Sequence, residues 1–193
     1  MKYTKYLAIG AVVIGSVAIT SCKDDYMDTV PSSSISENTI NTSLNNLYLA
    51  INGIHREMVS QESTYQCLGG APGINMCMDV EADDINWKTN TWMQAAYLGW
   101  TANMNNQSGY NSNVWRLYYQ WILNANKILE GLEKVTNNDA NLYNLVKGEA
   151  LCFRAWAHFQ LVQTYAKRYA AGGSNTQDGV PYRVSSAGGE LAR

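Results

Sequence analysis

Three tryptophans, Trp87, Trp92 and Trp100, crowd into a short stretch of chain. Tyr97 and Tyr110 accompany them, with Asn86, Asn90, Asn103 and Asn105 interspersed. Flat rings beside amides suit a ligand that has both apolar faces and hydroxyls, as a sugar ring does. Trp87, Trp92 and Trp100 are therefore the candidate stacking residues. The competing reading is structural: large rings that pin a long loop onto neighbouring helices. Other reactive side chains give less. Asp79, Glu81, Asp83 and Asp84 lack the glycine and distal glutamate of a calcium loop. Nothing in their surroundings sets two carboxylates apart as a glycosidase pair, so they read as a solvated acidic turn. His55 and His158 fall on separate helices with no Ser or Cys nucleophile setting, and read as buried or interfacial. Glu149 and Arg154 read as ion-pair partners of neighbouring helices. Gly172-Gly173 lacks the strand–helix context of a phosphate loop.

Four cysteines remain. Cys67 and Cys77 are close enough in sequence to close a small disulfide loop or to stay reduced, and Cys152, among apolar residues, reads as a small buried hydrophobe. No Cys/His cluster suggests a metal site, so neither metal nor cofactor is expected. Cys22 is different. Lys2 and Lys5 precede an apolar run over residues 7–19, and Ile19-Thr-Ser-Cys22 follows. This is the pattern of an export signal over residues 1–21. A cysteine just past the small residues resembles a bacterial lipobox, in which the thiol is acylated and becomes the first mature residue. Several acyl chains on Cys22 give stable membrane anchoring, where one chain would not. The charged Lys23-Asp24-Asp25 argues against a transmembrane anchor and resembles the stretch that sends some lipoproteins to the outer cell surface.

The composition sets the wider bounds. The chain has 193 residues, 46% hydrophobic and 16% charged, with a formal charge of −2. That apolar content argues against disorder, and the absence of a basic cluster excludes nucleic acid as a partner. Signal removal takes Lys2 and Lys5 away and leaves the body more acidic, so lipid rather than charge must hold it to a membrane. The 13 Tyr and 6 Trp outnumber the 2 Phe, and rings with a polar tip suit half-wet surfaces.

The elements that must position these residues follow from periodicity. Residues 22–40 form a polar, Pro- and Ser-bearing lipidated tether. Leu44, Leu47, Tyr48, Ile51, Ile54 and Met58 make one helical stripe, with N-cap candidates in Asn41-Thr-Ser. Gly53 either weakens that helix or admits a close neighbour. Residues 59–112 show no sustained period and form a long irregular segment. From Asn113, the run Val114, Leu117, Tyr118, Trp121, Ala125, Ile128, Leu132 and Val135 predicts a second helix. Thr136 to Asp139 reads as a turn and N-cap, and a third helix is expected over about 140–169. Its middle is apolar on several faces and should pack on more than one neighbour. Trp115, Trp121 and Trp156 read as core. The class is all-α. Ala150, Ala155, Ala157, Phe159 and Tyr165 have the flavour of a tetratricopeptide helix pair, a unit that is stable only when stacked in about threes. The chain supplies fewer, so residues 41–193 are expected to be a helical domain continuing beyond Arg193.

Several pieces in order carry a family resemblance. They are the Cys22-Lys-Asp-Asp lipobox, Asp28-Thr-Val-Pro-Ser-Ser-Ser-Ile-Ser, Ala50-Ile-Asn-Gly-Ile and Asp79-Val-Glu-Ala-Asp-Asp. Val114-Trp-Arg-Leu-Tyr-Tyr, Ala125-Asn-Lys-Ile-Leu, Lys147-Gly-Glu-Ala-Leu-Cys-Phe-Arg-Ala-Trp-Ala-His-Phe and Gly179-Val-Pro-Tyr-Arg complete the set. Together they resemble the N-terminal part of SusD/RagB-family outer-membrane lipoproteins. The resemblance implies a non-enzymatic, surface-exposed binder on tetratricopeptide-like helix pairs. Such a protein sits on a SusC-type TonB-dependent transporter and captures glycans, or peptides in some members. It also leaves open a helical scaffold segment that docks on the transporter without touching ligand.

Overall fold

The computed structural model describes residues 37–60, 69–82 and 109–188. Five helices lie in this part: α1 (Glu37–Ile40), α2 (Leu44–Val59), α3 (Gly70–Glu81), α4 (Gly109–Leu132) and α5 (Ala140–Tyr165). Among the described residues there is no strand, and no helix is long and apolar enough to cross a membrane.

The start of α2 is fixed locally. Ser43 is extended, and its hydroxyl accepts the Asn46 amide at 3.2 Å, satisfying a donor that has no partner inside the helix. The Asn46 side chain then donates to the Thr39 carbonyl at 2.8 Å and to the Thr42 hydroxyl at 3.0 Å, which ties α1 to the first turn of α2. From this cap the stripe Leu44, Leu47, Ile51 and Ile54 is buried, while Tyr48 emerges at its edge. Gly53 is exposed and no neighbour approaches it.

Helix α3 runs through the segment whose sequence shows no sustained period. Its opening, Gly70-Ala-Pro-Gly, reads as a loop, but the first turn of a helix tolerates proline because no intrahelical N–H is needed there. Gly70 has φ of +61°, and a Cβ on it would collide with the Met58 carbonyl at the end of α2. A glycine is what lets α3 begin against that backbone. Ala71, Ile74, Cys77 and Val80 are buried, and α3 packs on α2. The acidic turn is in part this helix's last turn, where Asp79 is exposed.

Helix α4 starts at Gly109, earlier than the expected Asn113, and α5 ends at Tyr165 rather than near residue 169. Between them, Asp139 caps α5 and accepts the Asn141 and Leu142 amides at 3.0 and 3.1 Å. The two helices form an antiparallel hairpin, and α2 packs against both. Val114, Leu117, Tyr118, Trp121, Ile122, Ala125, Ile128 and Leu132 meet Val146, Ala150, Phe153, Ala157 and Leu161 in one core. So α5 does pack on more than one neighbour.

Two expected core residues lie elsewhere. Cys152 is exposed, because it sits opposite the Ala150–Phe153–Ala157 line on α5. Leu145, Cys152, Ala155, Phe159 and Val162 share that outer face, and Phe159 is 56% exposed. Trp115 is exposed too, since the turn from Val114 to Leu117 carries the seam and leaves the next position off it. Trp121 is fully buried, as expected, whereas Trp156 is half-buried and packs against the edge of the core.

The hairpin and its cap set the stability. Trp121→Ala should cost about 3–5 kcal/mol, the range for deleting a large buried ring. Asp139→Ala should cost about 1 kcal/mol through loss of the α5 cap. Urea unfolding of each variant against the parent measures both.

Candidate functional site

Trp87, Trp92 and Trp100, with Tyr97, Asn86, Asn90, Asn103 and Asn105, lie outside the described residues. So do Cys22, Cys67, Asp83 and Asp84. The side chains that the structure brings together belong instead to α4, α5 and the segment 180–187 that follows them in the chain.

The first group is aromatic. Trp121 and Trp156 stack across the α4–α5 seam with ring centroids 5.4 Å apart and planes 16° apart. Tyr118 meets both edge-on, at 5.4 and 6.0 Å. Such offset and edge contacts suit the ring quadrupoles and add to simple burial. Burial pushes the Tyr118 hydroxyl up to about 12. The Tyr118 hydroxyl and the Trp121 Nε1 are buried without a hydrogen-bond partner. Further along, Trp115 leans between Tyr119 at 4.7 Å and Tyr165 at 5.1 Å. Tyr165 in turn donates its hydroxyl to the Asn111 carbonyl at 2.7 Å. This propped, partly open indole is a ring that helical spacing assigned to the core.

The second group is polar and holds the 180–187 segment. Tyr119 donates its hydroxyl to the Pro181 carbonyl at 2.8 Å. The Asn126 side-chain amide is fully buried and uses both ends. Its Nδ2 donates to the Arg183 and Ser185 carbonyls at 3.3 and 3.2 Å, and its Oδ1 accepts from Arg154 Nη1 at 3.1 Å. His158 is also buried. Its Nε2 accepts the Arg183 backbone N–H at 3.1 Å, so that nitrogen carries no proton. The proton is on Nδ1, which donates to the Arg154 carbonyl at 2.8 Å. Burial holds the His158 imidazole below its usual range; the bond to the Arg154 carbonyl opposes this, and the nearby Arg154 charge adds to it. At the far end, Glu130 accepts the Ser186 amide at 2.7 Å and the hydroxyls of Ser185 and Ser186. These bonds, led by the Ser186 hydroxyl, hold the Glu130 carboxyl below its ordinary value.

Both histidines are interfacial, as the sequence suggests. His55 on α2 reaches Glu149 on α5 at 3.2 Å, with its ring edge on Phe153. Glu149 and Arg154 each bridge to another helix, though Arg154 finds an amide rather than a carboxylate. Glu57 was not a sequence candidate, yet it accepts from Gln120 at 3.2 Å and Asn124 at 3.5 Å across the α2–α4 seam. Only the four-residue spacing of Gln120 and Asn124 hinted at it.

These arrangements position and hold; they do not assemble a nucleophile with a base. Among the described residues no three His, Cys, Asp or Glu side chains come close enough to share a metal ion. A shallow cleft of about 110 Å³ lies between Ile40, Asn41, Lys127, Glu130, Lys134 and Ser186. That is well short of the several hundred Å³ typical of small-molecule pockets.

No curated protein and no solved structure matches the chain. A family model does match, over residues 25–190, and its description is starch-binding associating with outer membrane. The match spans α1 to α5 and the 180–187 segment. The helical hairpin, its capped turn and the ordered motifs along the sequence therefore have one common explanation: the chain belongs to the SusD-like family of starch-binding, outer-membrane-associated proteins.

Proposed function

We propose that this protein is a lipid-anchored binder on the outer face of the outer membrane that captures glycans and hands them to a SusC-type TonB-dependent transporter. The observation that carries this reading is the family match over residues 25–190, which includes Trp87, Trp92 and Trp100. In this reading the Cys22 thiol is acylated and residues 22–40 tether the body to the membrane. The helical body is a rigid support, which suits a binder because a pre-ordered surface loses little entropy on capture. Trp87, Trp92 and Trp100 stack on sugar rings, and neighbouring asparagines bond the hydroxyls. The protein performs no bond-breaking step on the glycan.

A second reading is a scaffold that docks on the transporter without touching the ligand. The exposed outer face of α5, with Leu145, Phe159 and Val162, favours it. The two readings separate cleanly. Replacing Trp87, Trp92 and Trp100 by Ala in the full chain should abolish retardation in starch-containing native gels. Thermal unfolding should stay within a few degrees of the parent. Unchanged retardation in a folded variant would leave only the docking role. If peptides rather than glycans are the cargo, the parent will pass through the starch gel unretarded. Release of reducing ends from starch by the purified protein would overturn the non-catalytic assignment.

Anchoring has its own test. Cys22→Ser should abolish incorporation of labelled palmitate and move the protein from the membrane pellet to the soluble fraction. A Cys22→Ser protein that stays labelled and pelleted would rule out lipidation at this position.

A further inference from the structure

We infer that His158 is a pH-sensitive latch: its neutral ring holds one end of the 180–187 segment on the α4–α5 hairpin, and protonation releases that end while the other stays pinned.

The geometry leaves the ring little choice. His158 Nε2 accepts the Arg183 N–H at 3.1 Å, and Nδ1 is committed to the Arg154 carbonyl at 2.8 Å. A proton added to the imidazole must go to Nε2, where it faces the Arg183 N–H across the same lone pair. Two donors then point at each other, and the bond is replaced by repulsion. The charged groups around the ring strengthen this. Arg154 on α5 is a cation that disfavours the imidazolium, Arg183 on the segment sets its charge near Tyr119, and Tyr119 on α4 and Tyr182 on the segment contribute rings at 6.5 and 5.0 Å. Among the described residues the ring's hydrogen-bond and ring-contact partners are Arg154, Arg183, Tyr119 and Tyr182, none of them a carboxylate that would welcome the imidazolium.

The remaining anchors do not begin to respond to acid where His158 does. Tyr119, which holds the Pro181 carbonyl, is pushed up to about 12 by burial and keeps its proton throughout. Asn126 has no titrating group. Glu130 holds Ser185 and Ser186 as a carboxylate whose proton uptake lies below its ordinary value of 4.5. By linkage, what His158 contributes begins to fall below about 6.5, whereas what Glu130 contributes begins to fall below about 4.5. The sign follows. A depressed imidazole contributes stability that is present above about 6.5 and is lost as pH falls from there to the folded-state value. Between about 6.5 and about 4.5 the hold on the Arg183 end weakens, while the hold on Ser185–Ser186 is untouched. That end carries the exposed side chains of Tyr182 and Val184, so loosening alters a solvent-facing surface.

Amide hydrogen exchange on the full chain tests this, with rates corrected for the intrinsic effect of pH. Arg183 protection should fall roughly tenfold between pH 7.5 and pH 5, while Ala125 and Ala157 in the hairpin keep theirs. The Ser186 amide should also keep its protection over this range. His158→Gln should show a weakly protected Arg183 amide with no pH dependence. Imidazole nitrogen shifts of the parent should place the His158 midpoint below 6.5, coincident with the loss at Arg183. This last comparison decides the matter even if the variant fails to fold. Constant Arg183 protection across the range would overturn the latch. So would a loss that persists in His158→Gln, or one that runs in step with Ala125 and Ala157.

Discussion

The seam between α4 and α5 is the contact on which every other described element depends. It combines two kinds of surface. Ala125, Ala150 and Ala157 keep the backbones close, and Trp121, Tyr118 and Trp156 fill the wider part with interlocked rings. Small residues and large rings in the same seam allow native-like packing density without voids, and packed rings resist sliding. α2 then lies along both helices, and α3 lies on α2. Remove the seam and α2 loses the surface it packs against, and α3, which packs chiefly on α2, loses its support in turn. This order of dependence explains why the polar side chains of interest sit on the hairpin. It is the part of the molecule rigid enough to hold them.

The same seam was the part most open to sequence reasoning. Val114, Leu117, Trp121, Ala125, Ile128 and Leu132 follow each other at three and four residues, and burial on one side leaves no other helical solution. The Asp139 cap and the Ser43 cap were readable for a similar reason: both satisfy orphan amides with a short polar side chain just ahead of an apolar run. Helix α3 was not readable. Its Gly70, Pro72 and Gly73 are loop residues by propensity, and its helicity depends on packing Ala71, Ile74 and Cys77 against α2. Tertiary burial overrides local preference there. Trp115 and Cys152 show the opposite limit. Both lie in apolar stretches, but a helix has only one seam-facing side, and neighbours Val114 and Phe153 occupy it. For the functional candidates, the sequence offered Trp87, Trp92 and Trp100 by residue type. It gave no sign of the Asn126–His158 cradle, because pairing those residues needs the hairpin closed and the chain returned by residue 183.

That cradle illustrates how buried polar groups choose one arrangement among many apolar ones. Apolar burial is non-directional, and in the 180–187 segment it rests chiefly on Val180, which a one-residue slide would displace from the core. The polar atoms do not tolerate such a slide. Asn126 Nδ2 needs the carbonyls of Arg183 and Ser185 together, two positions apart where the chain begins to bend. A one-residue shift turns both carbonyls away and leaves a buried amide unpaired, at a cost of about 1–3 kcal/mol. His158 Nε2 would lose its donor at the same moment, and Glu130 would lose the Ser186 amide. The penalties fall together, so only one register satisfies all three side chains. Burial supplies the attraction between segment and hairpin; Asn126, His158 and Glu130 decide where along the hairpin the segment stops.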